Sequence, residues 1–128
     1  MSDYNSLHNR AVWFDIPVAD LGRASAFYAG VLGIAVQQEQ FDNFRFAVLA
    51  HDQGNGGCLV VQPGEVSETQ GLLLYLNVDG RIRDAVMKVA GLGGAVLQDV
   101  HPIGPHGCRA LIRDSEGNRV ALHSTRDA

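Results

Sequence analysis

Two spacings of apolar residues alternate along this chain, and the alternation comes round twice. Across residues 11–18, Val12, Trp13, Phe14 and Ile16 form a β-favouring run that Pro17 ends or bulges. The spacing then lengthens. Ala24, Phe27, Tyr28, Val31 and Leu32 stand at i, i+3, i+4, i+7 and i+8, one face of a helix. Asp20 is placed to cap its start, and residues 30–33, with Gly30 and Gly33, to stop it. Strand-like segments follow at 35–40, 44–50 and 57–62, between turns rich in Asp, Asn and Gly. The same order then returns: a strand over 72–78, helical spacing in Ile82, Ala85, Val86, Val89 and Ala90, a stop at Gly91, Gly93 and Gly94, and strands at 95–100, 108–113 and 119–124. Residues 114–118, Asp-Ser-Glu-Gly-Asn, predict a hairpin, with Gly117 suited to its left-handed position.

The two halves also match residue for residue at an offset of 60. Leu-Gly-Ile-Ala-Val-Gln-Gln at 32–38 recurs as Leu-Gly-Gly-Ala-Val-Leu-Gln at 92–98. Val18 and Val78, Arg23 and Arg83, Gly57 and Gly117, and Val60 and Val120 match in the same register. An ungapped repeat of this length predicts two copies of one supersecondary unit. Each copy is too small to bury a core alone, so the two must pack together. The fold class expected is α+β: two tandem βαβββ modules, about 11–63 and 70–124, in one domain of 128 residues.

Charge removes several function classes. The chain has net charge -4, and of its ten basic residues only Lys88 is a lysine, so there is no basic stripe for a nucleic-acid backbone. Cys58 and Cys108 are too few for a disulfide framework and form no C-x-x-C pair. The first ten residues are polar, and no apolar run approaches the ~18 residues of a membrane span. The expectation is a soluble, cytoplasmic protein with neither nucleic acid nor membrane as partner. Residues 101–107 hold two prolines, two glycines and two histidines, which predicts a shaped loop.

Tandem βαβββ units resemble the vicinal oxygen chelate superfamily of glyoxalase I, bleomycin- and fosfomycin-resistance proteins and extradiol dioxygenases. Residues 16–28 with Val31-Leu32-Gly33 look like that family's first-module signature. Residues 93–96 with 114–122 look like its second. The resemblance implies that each module curls its strands into a half-barrel, that two modules enclose a ligand cavity, and that chains pair as homodimers. The exposed edges of open sheets favour the same pairing. It also implies, for the family's metal enzymes, one ligand from the first and last strand of each module, commonly His and Glu. Carried onto this chain, those positions are Trp13, Val61, Leu73 and Ala121, none of which can coordinate a divalent ion. A slip of one residue does not restore a site. Neither metal nor cofactor is therefore expected.

Side chains two apart on a strand share a face, so the implied ligand positions also mark the cavity wall. Trp13 brings Asp15; Leu73 brings Tyr75 and Asn77; Ala121 brings Arg119 and His123; Val61 brings Leu59. An aromatic wall of Trp13 and Tyr75 with a few polar handles suits a small organic ligand. Asp15 and His123 are the candidate catalytic pair, base and orienter, and His106 is placed at the cavity mouth to cap a ligand. Three readings stay open: a metal-free small-molecule-binding protein; a glyoxalase-like lyase or related enzyme, metal-free or with a nonstandard metal site; and a structural dimer whose cavity Trp13 fills.

Overall fold

In the computed structural model, which describes residue 9 and residues 11–128, the first unit runs β1 (Asp15–Val18), α1 (Leu21–Leu32), β2 (Val36–Phe41), β3 (Phe44–Leu49) and β4 (Cys58–Val61). The second runs β5 (Tyr75–Asn77), α2 (Ile82–Val89), β6 (Ala95–Pro102), β7 (Cys108–Arg113) and β8 (Arg119–Ser124). The polar stretch before residue 11 lies, Asn9 apart, outside the described residues. Each unit makes a four-stranded mixed sheet, in the orders β1-β4-β3-β2 and β5-β8-β7-β6. β1 pairs with β4, and β5 with β8, in parallel; the other pairs are antiparallel. This is the α+β arrangement the sequence predicts. Among the described residues neither sheet closes into a barrel, and no helix is long and apolar enough to cross a membrane.

The helix ends follow from the expected chemistry. The Asp20 carboxylate accepts the Arg23 backbone N–H at 3.0 Å, satisfying one of the donors that a first turn leaves over. Gly33 at φ 68° closes α1, and Gly93 at φ 97° ends the 3-10 turn that extends α2. Even-numbered residues of β1, Ile16 and Val18, enter the core with Leu59 of β4 and Phe27, Tyr28 and Val31 of α1. Leu76, Ile112, Val120 and Leu122 do the same with Ile82, Ala85 and Val89 of α2, each large side chain contributing ~1.5–3 kcal/mol by burial. α1 and α2 pack side by side, and Arg81 Nη1 donates to the Val31 carbonyl at 2.8 Å.

Two expectations need correcting. The opening strands are shorter than 11–18 and 72–78, because their parallel partners offer only a few ladder residues: β1 pairs over 15–18 and β5 over 75–77. Leu72, apolar but 97% exposed, lies outside the sheet altogether. The repeat is also not ungapped in space. Val36 pairs with Leu49 and Val96 with Ile112, so the offset of 60 holds through β2 and becomes 63 in β3 and β4. The added residues sit in the β6–β7 ladder, which carries two register shifts, and in the Gly104–His106 turn. The Val60–Val120 identity is thus coincidental: Val120 is core, whereas Val60 faces the other side of its sheet.

Candidate functional site

Each sheet buries one face against the helices and turns the other outward. On the first sheet the outward set follows from register: Asp15 opposite Cys58, Cys58 opposite Val48, Val60 opposite Phe46, and Phe46 opposite Glu39. Of these, Asp15, Glu39, Phe46, Cys58 and Val60 line, with Trp13 and Phe44, an open cleft of about 780 Å³. Trp13 stands edge-on to His51, ring centroids 6.0 Å apart and planes at 82°. The Cys58 thiol donates to Asp15 Oδ1 at 3.2 Å. Burial and the hydrogen bond to Asp15 push that thiol up to about 11, with Trp13 acting the other way, so it stays protonated near neutral pH.

The second sheet's outward face holds different chemistry. Tyr75 lies opposite Ala121, Asn77 opposite His123, His123 opposite Arg109, and Arg109 opposite His101. Arg109 donates from Nη1 to the Tyr75 hydroxyl at 2.5 Å and from Nε to His101 Nε2 at 3.1 Å. His101 Nδ1 faces the Asp99 carbonyl at 2.8 Å, which assigns the ring proton to Nδ1 and leaves Nε2 to accept. His123 Nε2 bonds the His106 carbonyl at 2.7 Å, and its ring meets the edge of Tyr75 at 6.4 Å. Asn77 spends its side-chain oxygen on the Asp79 N–H. Arg119 sits at the seam between the sheets, in a second cleft of about 430 Å³ with Phe14 and Leu72. Its Nε is covered and has no hydrogen-bond partner among the described residues.

The expected site is therefore divided. Trp13 and Asp15 share one face; Tyr75 and His123 share the other, where His106 takes part through its backbone. Tyr75 is not part of the Trp13 wall, whose further aromatics are Phe41, Phe44 and Phe46. Asp15 and His123 do not form a pair, since they stand on different sheets and each bonds elsewhere. Leu59, expected on the cavity wall, is fully buried in the core. The cause is the slipped offset. Phe14 O accepts the Cys58 N–H as Leu74 O accepts the Ala121 N–H, so Cys58, not Val61, corresponds to Ala121. The four positions that would hold a metal are then Trp13, Cys58, Leu73 and Ala121. Only Cys58 has a donor atom, and it is a protonated thiol bound to Asp15. The donor set does not fit a divalent ion.

Sequence reasoning read the 114–118 turn as a hairpin and as part of the second-module signature, and missed what its side chains do. Glu116 accepts the backbone N–H groups of Ala19 and Asp20 at 2.9 and 2.8 Å and forks onto Arg23 at 2.7 and 2.9 Å. Asn118 donates to the Pro17 carbonyl at 2.7 Å, and the buried Tyr28 hydroxyl donates to Asp114 at 2.5 Å. This clasp holds the second module against the start of α1 in the first. Arg23 and Tyr28 on the helix signature, with acids in a distant turn, were the only trace of it in the sequence.

This fold and these divided faces define a class of protein. The family model for the glyoxalase-like domain matches residues 11–123, and the chain belongs to that family. A glyoxylase-like domain-containing protein of Didymella fabae is 28% identical over 121 residues, covering 91% of this chain and 94% of its own. Among solved structures, a glyoxalase-related enzyme from Fulvimarina pelagi superposes with a TM-score of 0.67 at 16% identity, over 91% of this chain and 88% of that one. The genomically encoded fosfomycin resistance protein FosX of Listeria monocytogenes does so with a TM-score of 0.67 at 12% identity, over 91% and 93%. Likeness at these identities carries the fold.

Proposed function

We propose that this chain is a small-molecule-binding member of the glyoxalase-like family that works without the divalent ion of its metal-dependent relatives. The supporting observation is the cleft on the first sheet. It offers a flat indole at Trp13 and the rings of Phe44 and Phe46 as an apolar wall, with Asp15 and Glu39 as polar handles. Such a wall suits a planar, largely apolar compound, which Trp13 would stack against. The protein acts as a homodimer. The outward faces of both sheets are open, and one protomer's first module facing its partner's second would cover them. That pairing would bring a Tyr75 wall over a Trp13 wall.

A thermal-shift screen of planar organic compounds, followed by titration of tryptophan fluorescence, tests the reading. Trp13 is the only tryptophan, so its emission reports on this cleft alone. A true ligand at 100 times its Kd should add ~2.7 kcal/mol of stability and shift or quench the emission. A screen that yields no compound doing both sinks the proposal. So does purified protein with near one equivalent of zinc, nickel, iron or manganese whose fold a chelator destabilises.

A further inference from the structure

We infer that the outward face of the second sheet is an oxyanion-binding site built on Arg109 and Tyr75, taking a carboxylate or phosphate group. This deepens the binding reading and rests on it only in treating the outward faces as ligand surfaces. Arg109 is half-buried, and among the described residues no carboxylate pairs with it, although the chain carries a net charge of -4. Its two protein acceptors are neutral, a phenol and an imidazole. They orient the planar fork and leave its charge unmet, and among the described residues the remaining Nη protons have no protein acceptor.

The phenol completes the geometry. Because the Tyr75 oxygen accepts from Arg109, its own proton is free to donate, and Tyr75 is 45% exposed to whatever approaches the face. The guanidinium carbon lies 5.9 Å from the Tyr75 ring centroid, so charge and hydroxyl stand side by side. Two donors of fixed direction, one of them charged, are what a planar carboxylate or a phosphate oxygen pair needs. The surrounding titratable groups do not cancel the field. Arg113, four residues along β7, is paired with Glu68, Asp99 on β6 accepts the Val100 N–H through Oδ1, and His101, His123 and Arg119 add no negative charge.

The test is a proton–nitrogen NMR titration of the intact protein that follows the arginine Nε–Hε signals and the β7 and β8 amides. Benzoate, inorganic phosphate and neutral benzamide are the probes. Saturable shifts at Arg109 with benzoate or phosphate, and none with benzamide, are expected; which anion saturates first identifies the carboxylate or the phosphate source. Arg109→Lys, which keeps the charge but loses the fork, should weaken binding roughly tenfold, and Tyr75→Phe several-fold. Both positions are partly exposed, and unchanged melting temperatures would verify that the variants fold. The inference is overturned if neither anion gives a saturable shift, or if Arg109→Gln binds them as well as the parent. It is equally overturned if that variant leaves the anions unaffected but weakens the dimer, which would make Arg109 a contact to the second copy. Loss of the Trp13 fluorescence response with anion shifts retained would refute the first-sheet cleft and leave this site standing.

Discussion

Replacing Glu116 by Gln removes one charge from the clasp at almost constant volume. The Glu116 side chain is fully covered and accepts from Ala19, Asp20, Arg23 and the Ser115 hydroxyl. Burial alone would push its pKa up, but the Arg23 fork and the backbone and hydroxyl donors outweigh it, and the carboxyl falls from 4.5 to about 2. At ~1.4 kcal/mol per unit this bounds the contribution at ~3 kcal/mol. Arg23 is 52% exposed, so solvent screening brings the expected figure nearer ~2 kcal/mol. The folded-state value is depressed, so the stabilisation is complete above pH 4.5 and is lost as pH falls towards 2. Urea unfolding at pH 7 should show Glu116→Gln less stable by ~2 kcal/mol with an unchanged m-value. At pH 3 more than half of the difference should be gone, because the parent's own carboxyl gains its proton on unfolding. Equal stability at pH 7, or a deficit as large at pH 3, would refute the clasp as an electrostatic device.

Trp13→Ala should weaken a confirmed cleft ligand by roughly 1–3 kcal/mol while costing less stability than the ~3–5 kcal/mol of a core aromatic; an unfolded variant, or unchanged affinity, would make the indole filler. Cys58, held up at about 11, should be alkylated by iodoacetamide at pH 8 roughly a hundredfold more slowly than a free thiol, as peptide mapping can measure, and should gain reactivity only as pH approaches 11. Fast labelling at pH 8 would contradict the Asp15 contact. Light scattering at tens of micromolar should give the mass of two chains, and a monomer there would remove the proposed pairing of faces.

Much of this architecture was legible because it depends on local chemistry. The Asp20 cap, the glycine stops at Gly33 and Gly93, and the bounds of β7 and β8 all rest on residues acting within a few positions of themselves. The register of the last strands was not legible in the same way. Matching Gly57 to Gly117 looks compelling in one dimension, but three residues absorbed by bulges and a turn in β6–β7 turn alternate side chains to the opposite face. That slip exchanged Val61 for Cys58 and put core Leu59 on a cavity wall. Trp13 and Asp15 share one face, as expected, because β1 keeps the first offset. Arg109 on β7 and His101 on β6 were missed because cavity positions were counted only from the first and last strands of each module. The separation of Asp15 from His123 depends on how whole sheets pack, which no short-range pattern encodes.

The clasp has a consequence for how the chain is made. Synthesis runs from the N-terminus, and α1 emerges long before the turn that completes it, since Glu116 follows Arg23 by 93 residues. Until then the Ala19 and Asp20 donors have only water, and Tyr28 has no Asp114 to receive its proton. A first module alone on the ribosome is therefore a sheet and helix with an unfinished end, held in waiting for its duplicate. Duplication did more than double the unit: it placed in the second copy the part that finishes the first.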